Sequence, residues 1–373
     1  MNQIYLDYNA STPIAPEVLA EMYPYLQGSY GNPSSSHWAS VSTKQAILEA
    51  RIKVAALLRC SPDEVIFTSG GTESNNHALK GVFFALKEKG NHIITTTVEH
   101  PAILNPCSFL ERLGAEVTYI NVDETGRILP EAIESAINKR TILISVMHAN
   151  NEVGTIQPLG EIAEIAKKHG VLFHTDAAQS VGKIPVHVDQ LGVDLVTIAG
   201  HKLYAPKGIG ALYVRRGTKI EPYSHGAGHE HGMRAGTENV PYIVALGKAA
   251  EMAMLMQDNN EMSRLSEYFL EQLVAKFGHL IKLNGHPTNR LPNTLNISFI
   301  GLDANEILNK IPEIAASTGS ACHAGMTTIS PVLKAMQIDE IVARGAIRFS
   351  LGRYTNKIDI DQAIMLLEEA IIV

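Results

Sequence analysis

Between Glu64 and Val214 the chain alternates short apolar runs with helix-like stretches, and few architectures accept that order. The runs Glu64–Thr68, His92–Thr97, Glu116–Ile120, Thr141–Met147, Val171–Thr175, Leu195–Ala199 and Ile209–Val214 have strand length. Between them, Thr72–Glu88, Pro101–Leu113 and Leu159–His169 read as helices, the last with Ile162, Ile165, Ala166 and His169 on one face. Strands that alternate with helices imply a mainly parallel sheet covered on both sides. The expectation is an α/β fold whose large domain holds a seven-stranded sheet.

After about residue 250 the pattern changes. A long helical region, Ala250–Phe277, precedes isolated strands near Thr294–Phe299 and Ala346–Leu351. A terminal helix from Ile358 carries Ile360, Ile364, Leu367 and Ile371 on one stripe. These features predict a smaller α+β domain. With 373 residues the chain suits two packed domains, assigned as 14–250 (large) and 1–13 with 251–373 (small). The segment Tyr223–Asn239, rich in Gly and His, reads as a loop.

Composition removes several classes of function. The net charge of −7 is spread over interspersed acids and bases, which argues against a nucleic-acid surface. No apolar run is long enough to cross a bilayer. The start, Met1 to Asp7, has no basic segment followed by an apolar one, so no signal peptide is expected. Three cysteines, at 60, 107 and 322, are too few and too scattered for a disulfide framework or a zinc ribbon. A reducing cytoplasm is the expected location.

Polar residues gather at the ends of five strands: Ser69-Gly70-Gly71-Thr72-Glu73, Glu99-His100, His148 to Glu152, Asp176 to Gln179, and Gly200-His201-Lys202. In open α/β sheets ligands bind beyond the carboxyl ends of the strands, so these five would form one site. Ser69 to Thr72 opens a helix with small residues and can receive an anion, though such a turn is equally an ordinary helix start. No Walker loop or dinucleotide glycine pattern accompanies it. Lys202 could form a Schiff base with an aldehyde cofactor, or be a solvated loop lysine. Asp176 could keep a pyridine nitrogen protonated, or simply cap a helix.

The ordered set of motifs resembles the cysteine desulfurases of the class V aminotransferase group, in the branch with the longer cysteine loop. The matching stretches are Tyr5–Pro13, Gly31–Ser34, Gly70–Asn76, Asn150–Gly154, His174–Gln179, His201-Lys202, Arg234–Thr237, Ser320–Cys322 and Ile347–Arg353, across nearly the whole chain. The resemblance implies the type I fold of enzymes dependent on pyridoxal 5'-phosphate. It implies that Lys202 holds the cofactor as a Schiff base and that Asp176 pairs with the pyridinium nitrogen. Asn151 and Gln179 would bond the ring-oxygen side. His100 would stack on the ring and shuttle protons, and Gly71, Thr72 and His201 would bind the phosphate. Thr237 would reach the phosphate of a neighbouring subunit, hence a homodimer. Arg353 would clamp the substrate carboxylate, with Asn32 nearby. Cys322, in the loop Thr318–Gly325, would take sulfur from L-cysteine as a persulfide, release L-alanine, and pass the sulfur to an acceptor protein for iron–sulfur cluster or thio-cofactor biosynthesis. Cys60 and Cys107 read as structural. His323 adjoins Cys322, but adjacent side chains in an extended loop point apart.

Two places depart from the family pattern. Ala199 stands where a serine often donates to the phosphate. His225, His229 and His231 crowd one loop; a polar loop at the dimer interface, with no metal, is the expectation over a metal site. Selenocysteine lyase is the rival activity, favoured by Ala321-Cys322-His323 and by Ala199. An ordinary class V aminotransferase would not need Cys322, and a non-catalytic scaffold would not need Lys202 and Cys322 together.

Overall fold

The computed structural model describes residues 3–256, 260–318, 321–323 and 326–372. Its main sheet has seven strands in the order Val65–Thr68, Gly210–Val214, Leu195–Ala199, Leu172–Asp176, Thr141–Ser145, His92–Thr96 and Glu116–Ile120. Only Gly210–Val214 runs antiparallel to its neighbours. The strands His92–Thr96, Thr141–Ser145 and Leu195–Ala199 are buried at every residue, because helices cover both faces of a parallel sheet. The edge strand Glu116–Ile120 is buried only at Ile120. Main-chain bonds continue past Ser145, from Val146 N to His174 O (3.1 Å) and from His148 N to Asp176 O (2.9 Å). They carry two neighbouring strand ends to the same level.

A second sheet is antiparallel, in the order Ser317–Thr318, Ala346–Ser350, Thr294–Phe299 and Ile281–Asn284. Helices Glu261–Phe277 and Lys357–Ile372 pack against it. Phe269, Leu295, Ile347 and Leu367 share its core with Ile4 and Leu6 from the start of the chain. The first core gathers Leu58, Phe67, Ile94, Ile144, Phe173 and Leu246, and also takes Val332 and Leu333 from the far end of the sequence. Residues 3–13 bridge the two cores. Ile4–Tyr5 pairs with Ile314–Ala315, and Thr12 N bonds His201 O at 3.0 Å.

Three local expectations are corrected. The helical region Ala250–Phe277 is made of parts of two helices, Val240–Met256 and Glu261–Phe277. The Asp and Asn residues in the run 257–260 are poor helix formers. In the helix Leu159–His169 the buried stripe is Leu159, Ile162, Ala163 and Ala166, whereas His169 is exposed and meets Glu134 at 3.2 Å. Its place in the last turn, just before the left-handed Gly170, puts it beyond the core. Cys322 lies in a two-stranded hairpin and not in a plain loop: Ala321–His323 pairs with Met326–Thr328, with Cys322 opposite Thr327. The side chain of Cys322 lies outside the described residues. No helix among the described residues is long and apolar enough to cross a membrane.

Candidate active site

All five polar strand ends line one cleft of about 630 Å³. The first contributes Ser69 to Glu73, the second His100, the third Ala149 and Asn151, the fourth Asp176 and Gln179, and the fifth Ala199, His201 and Lys202. The sheet forces this convergence, since parallel strands all leave it at the same edge.

One end of the cleft is built for an anion. Helix Gly71–Leu86 points its N-terminus there, behind Gly70 at φ +146°. A Cβ on Gly71 would lie 3.2 Å from the Ala199 methyl, so Gly71 lets the helix approach the last strand. His201 is held nearby, and burial pushes its imidazole down to about 4. It therefore offers a neutral ring, and its Nδ1 is buried without a partner among the described residues. Ala199 brings only a methyl group, so a serine's hydroxyl is missing at that position.

Asp176 lines the same cleft. Its Oδ2 accepts from Asn75 Nδ2 at 2.6 Å and its Oδ1 from Ala178 N at 2.9 Å. These two bonds fix the carboxylate plane. His100 caps helix Pro101–Glu111, its Nδ1 accepting from Ala102 N at 3.0 Å. That bond leaves the ring proton on Nε2. Burial holds its pKa below the usual value, against the pull of Asp176.

Lys202 sits in the short turn Gly200–Lys202. Thr12 Oγ1 donates to His201 O (3.1 Å) and accepts from Tyr204 N (2.9 Å), clamping the turn on both sides. Tyr204 is held at φ +66°, a conformation unfavourable for a tyrosine and sustained by this grip. The Lys202 amine donates to Ala10 O at 2.7 Å and to Asn9 O. Burial, then the Arg348 guanidinium, push its pKa down to about 8, with Asp7 and Asp176 opposing. Gln179 Nε2 also donates to Asn9 O, at 3.0 Å. The Asn151 carbonyl accepts from Arg348 Nη1 at 3.1 Å.

Some expected residues are not brought here. Arg353 is absent from the cleft; it pairs with Glu17 at 2.9 Å and lines a different cavity. Arg348, five residues earlier, lines the cleft instead, with Nη2 on Asp7 Oδ1 at 2.6 Å. Strand parity explains the difference. Ile347, Phe349 and Leu351 point into the core, so Arg348 and Ser350 face the other way, while Arg353 lies past the strand. Asn32 is exposed, its Oδ1 accepting from Ser34 N at 2.9 Å, and Thr237 is exposed on its loop. Asn75, Asn9 and Lys183 were missed by sequence reasoning, although Asn75 and Asn9 lie within matched motifs. The thiols of Cys60 and Cys107 are both pushed up to about 12 by burial, which leaves them protonated. In the histidine loop, His229 Nδ1 lies 2.8 Å from Glu238, and no metal-binding cluster exists among the described residues. Glu230 is buried there and takes a two-pronged bond from Arg51, 2.8 Å at each oxygen.

An amine of lowered pKa, a carboxylate pinned by Asn75, and a helix N-terminus with a partnerless His201 nitrogen fit a pyridine aldehyde carrying a phosphate. The comparisons agree. The family model for aminotransferase class-V matches residues 4–363. "Cysteine desulfurase IscS" of Dictyoglomus turgidum (strain DSM 6724 / Z-1310) is 50% identical over 99% of this chain and 94% of its own. A solved "NIFS-LIKE PROTEIN" superposes with a TM-score of 0.92 at 37% identity, covering 98% of each chain. "SspA in complex with cysteine" gives 0.84 at 39% identity, over 95% of this chain and 100% of the other.

Proposed function

Because the chain belongs to the class-V aminotransferase family, among its cysteine desulfurases, we infer that this cleft converts L-cysteine to L-alanine and passes the sulfur to Cys322. The observation that carries this reading is the joint placement of Lys202, Asp176 and Arg348 around one cavity.

Lys202 would hold pyridoxal 5'-phosphate, Asp176 would face its ring nitrogen, and Gly71, Thr72 and His201 would bind its phosphate. Asn151 and Gln179 would meet the ring oxygen, and His100 would lie against the ring. The cofactor supplies an electron sink for the charge left when the α-proton departs. Arg348, already held by Asp7 and the Asn151 carbonyl, receives the substrate carboxylate; this role passes to it from Arg353. Lys202 would take the α-proton at Nζ, a role its lowered pKa favours. His100, its Nδ1 committed to Ala102, presents an N–H donor. The Cys322 thiolate then attacks the substrate sulfur. An S–S bond forms as the C–S bond breaks, the bonding pair stays on carbon, and a proton completes alanine.

The homodimer belongs to the same reading. Tyr30 and Trp38 are 83% and 85% exposed beside Asn32, and Ser34 Oγ lies 3.5 Å from His229 Nδ1 on the Thr237 loop. Aromatic rings so exposed next to a polar loop suit a subunit contact. It would bring Thr237 of the partner subunit to the phosphate. The sulfur then passes to an acceptor protein serving iron–sulfur cluster or thio-cofactor synthesis. The free thiols of Cys60 and Cys107 suit a reducing cytoplasm.

The test is to add L-cysteine to the purified protein and measure alanine, sulfide and a Cys322 persulfide together. Alanine should match transferred sulfur, and Cys322→Ala should lose the persulfide. Alanine made with no sulfur ever on Cys322, or turnover confined to selenocysteine, would overturn the reading.

A further inference from the structure

Lys183 lies directly behind the cleft, four residues after Gln179. It borders two further cavities, and its amine is buried. No carboxylate among the described residues pairs with it. The amine donates instead to Gln179 Oε1 at 2.9 Å and to Asn9 Oδ1 at 2.8 Å.

These two bonds have directional consequences. An amide has one acceptor end and one donor end. With Lys183 on Oε1, Gln179 must turn its NH2 toward the Asn9 carbonyl and the cleft. With Lys183 and Asn293 Nδ2 (3.1 Å) on Asn9 Oδ1, the Asn9 amide must donate, to Thr294 Oγ1 at 2.8 Å and Asn151 O at 3.3 Å. The Asn9 main chain is thereby fixed, and its carbonyl is the one that holds the Lys202 amine.

We propose that Lys183 is a positioning residue: through Gln179 and Asn9 it fixes the amide donor that faces the ring oxygen and the carbonyl that holds Lys202. The proposal rests on the function assigned above and adds to it a residue outside the cleft.

The charges around the pair define the pH behaviour. Lys202 and Arg348 bear on Lys183, while Arg348, Asp7 and Asp176 bear on Lys202, with His100 and His201 alongside. Burial and these two cations hold the Lys183 amine well below the ordinary lysine range. Removing it loosens the packing behind Lys202, and the easier access of water lets Lys202 keep its proton to higher pH.

The experiment compares the wild type with Lys183→Met and Lys183→Arg in the full-length protein. With cofactor removed, acetylation of Lys202 is followed against pH by mass spectrometry. With cofactor bound, its absorbance maximum is recorded, then kcat and KM for cysteine. Lys183→Met should raise the acetylation midpoint by about half a pH unit or more and displace the absorbance. It should cut kcat about tenfold with KM within about twofold, and Lys183→Arg should recover most of each. A wild-type midpoint and absorbance in Lys183→Met would overturn the proposal. If circular dichroism shows that variant unfolded, Lys183→Gln is judged by the same criteria. The acetylation readout needs no substrate. A wild type that makes no alanine would therefore sink the desulfurase reading and leave this result standing.

Discussion

Asn75 Nδ2 donates to Asp176 Oδ2 at 2.6 Å, and both side chains are buried. The bond joins the first helix of the cleft to the strand end that carries Asp176. Asn75→Ala leaves a buried carboxylate oxygen without its donor, at a cost of about 1–3 kcal/mol. The expected result is a lower melting temperature and weaker pyridoxal phosphate retention, measured by equilibrium dialysis. Unchanged retention would show that the Ala178 bond alone is enough.

Covalent loading should follow the state of Lys202. With a pKa lowered to about 8, roughly a tenth of its amine is neutral at pH 7, against fewer than about one in a thousand for an ordinary lysine. Loading of cofactor-free protein needs the neutral amine. Its rate should rise about tenfold per pH unit and level off near pH 8. Stopped-flow absorbance measures this, and a rise that continues beyond pH 10 would contradict it.

The two arginines of the Ile347–Arg353 run should separate in kinetics. Arg348→Ala removes the guanidinium in the cleft and should raise KM for cysteine about 100-fold, equivalent to about 2.7 kcal/mol of carboxylate binding. Arg353→Ala loses only a solvent-screened surface pair with Glu17. Its KM should stay within about threefold. The reverse pattern in steady-state assays would return the carboxylate to Arg353.

Glu230 anchors the Thr237 loop from inside. It takes both bonds from Arg51 and a third from Phe67 N at 2.8 Å, while holding φ at +46°. Glu230→Ala leaves Arg51 buried and unpaired, which costs about 3–5 kcal/mol. Urea denaturation should show that loss. Analytical ultracentrifugation should show a weaker dimer if the loop lies at the subunit contact.

Much of this protein was written along its chain. The main-sheet strands, the polar ends of five of them and the presence of Lys202 and Asp176 at two of those ends follow from local pattern and motif, since strand parity and helix starts depend on near neighbours. The long-range pairings were not legible. Which of Arg348 and Arg353 enters the cleft depends on the face that the strand Ala346–Ser350 buries against Leu295 and Phe269. Asn9 lies hundreds of residues from Thr294 and Asn293, so nothing local marks it as the point where Lys183, Gln179 and Lys202 meet. Lys183 itself looks like any surface lysine until the folded core closes over its amine. Sequence determines which groups a strand or turn can offer. Only tertiary packing decides which are taken out of water, and burial is what turns an ordinary lysine or carboxylate into a group with a fixed partner and a shifted proton affinity.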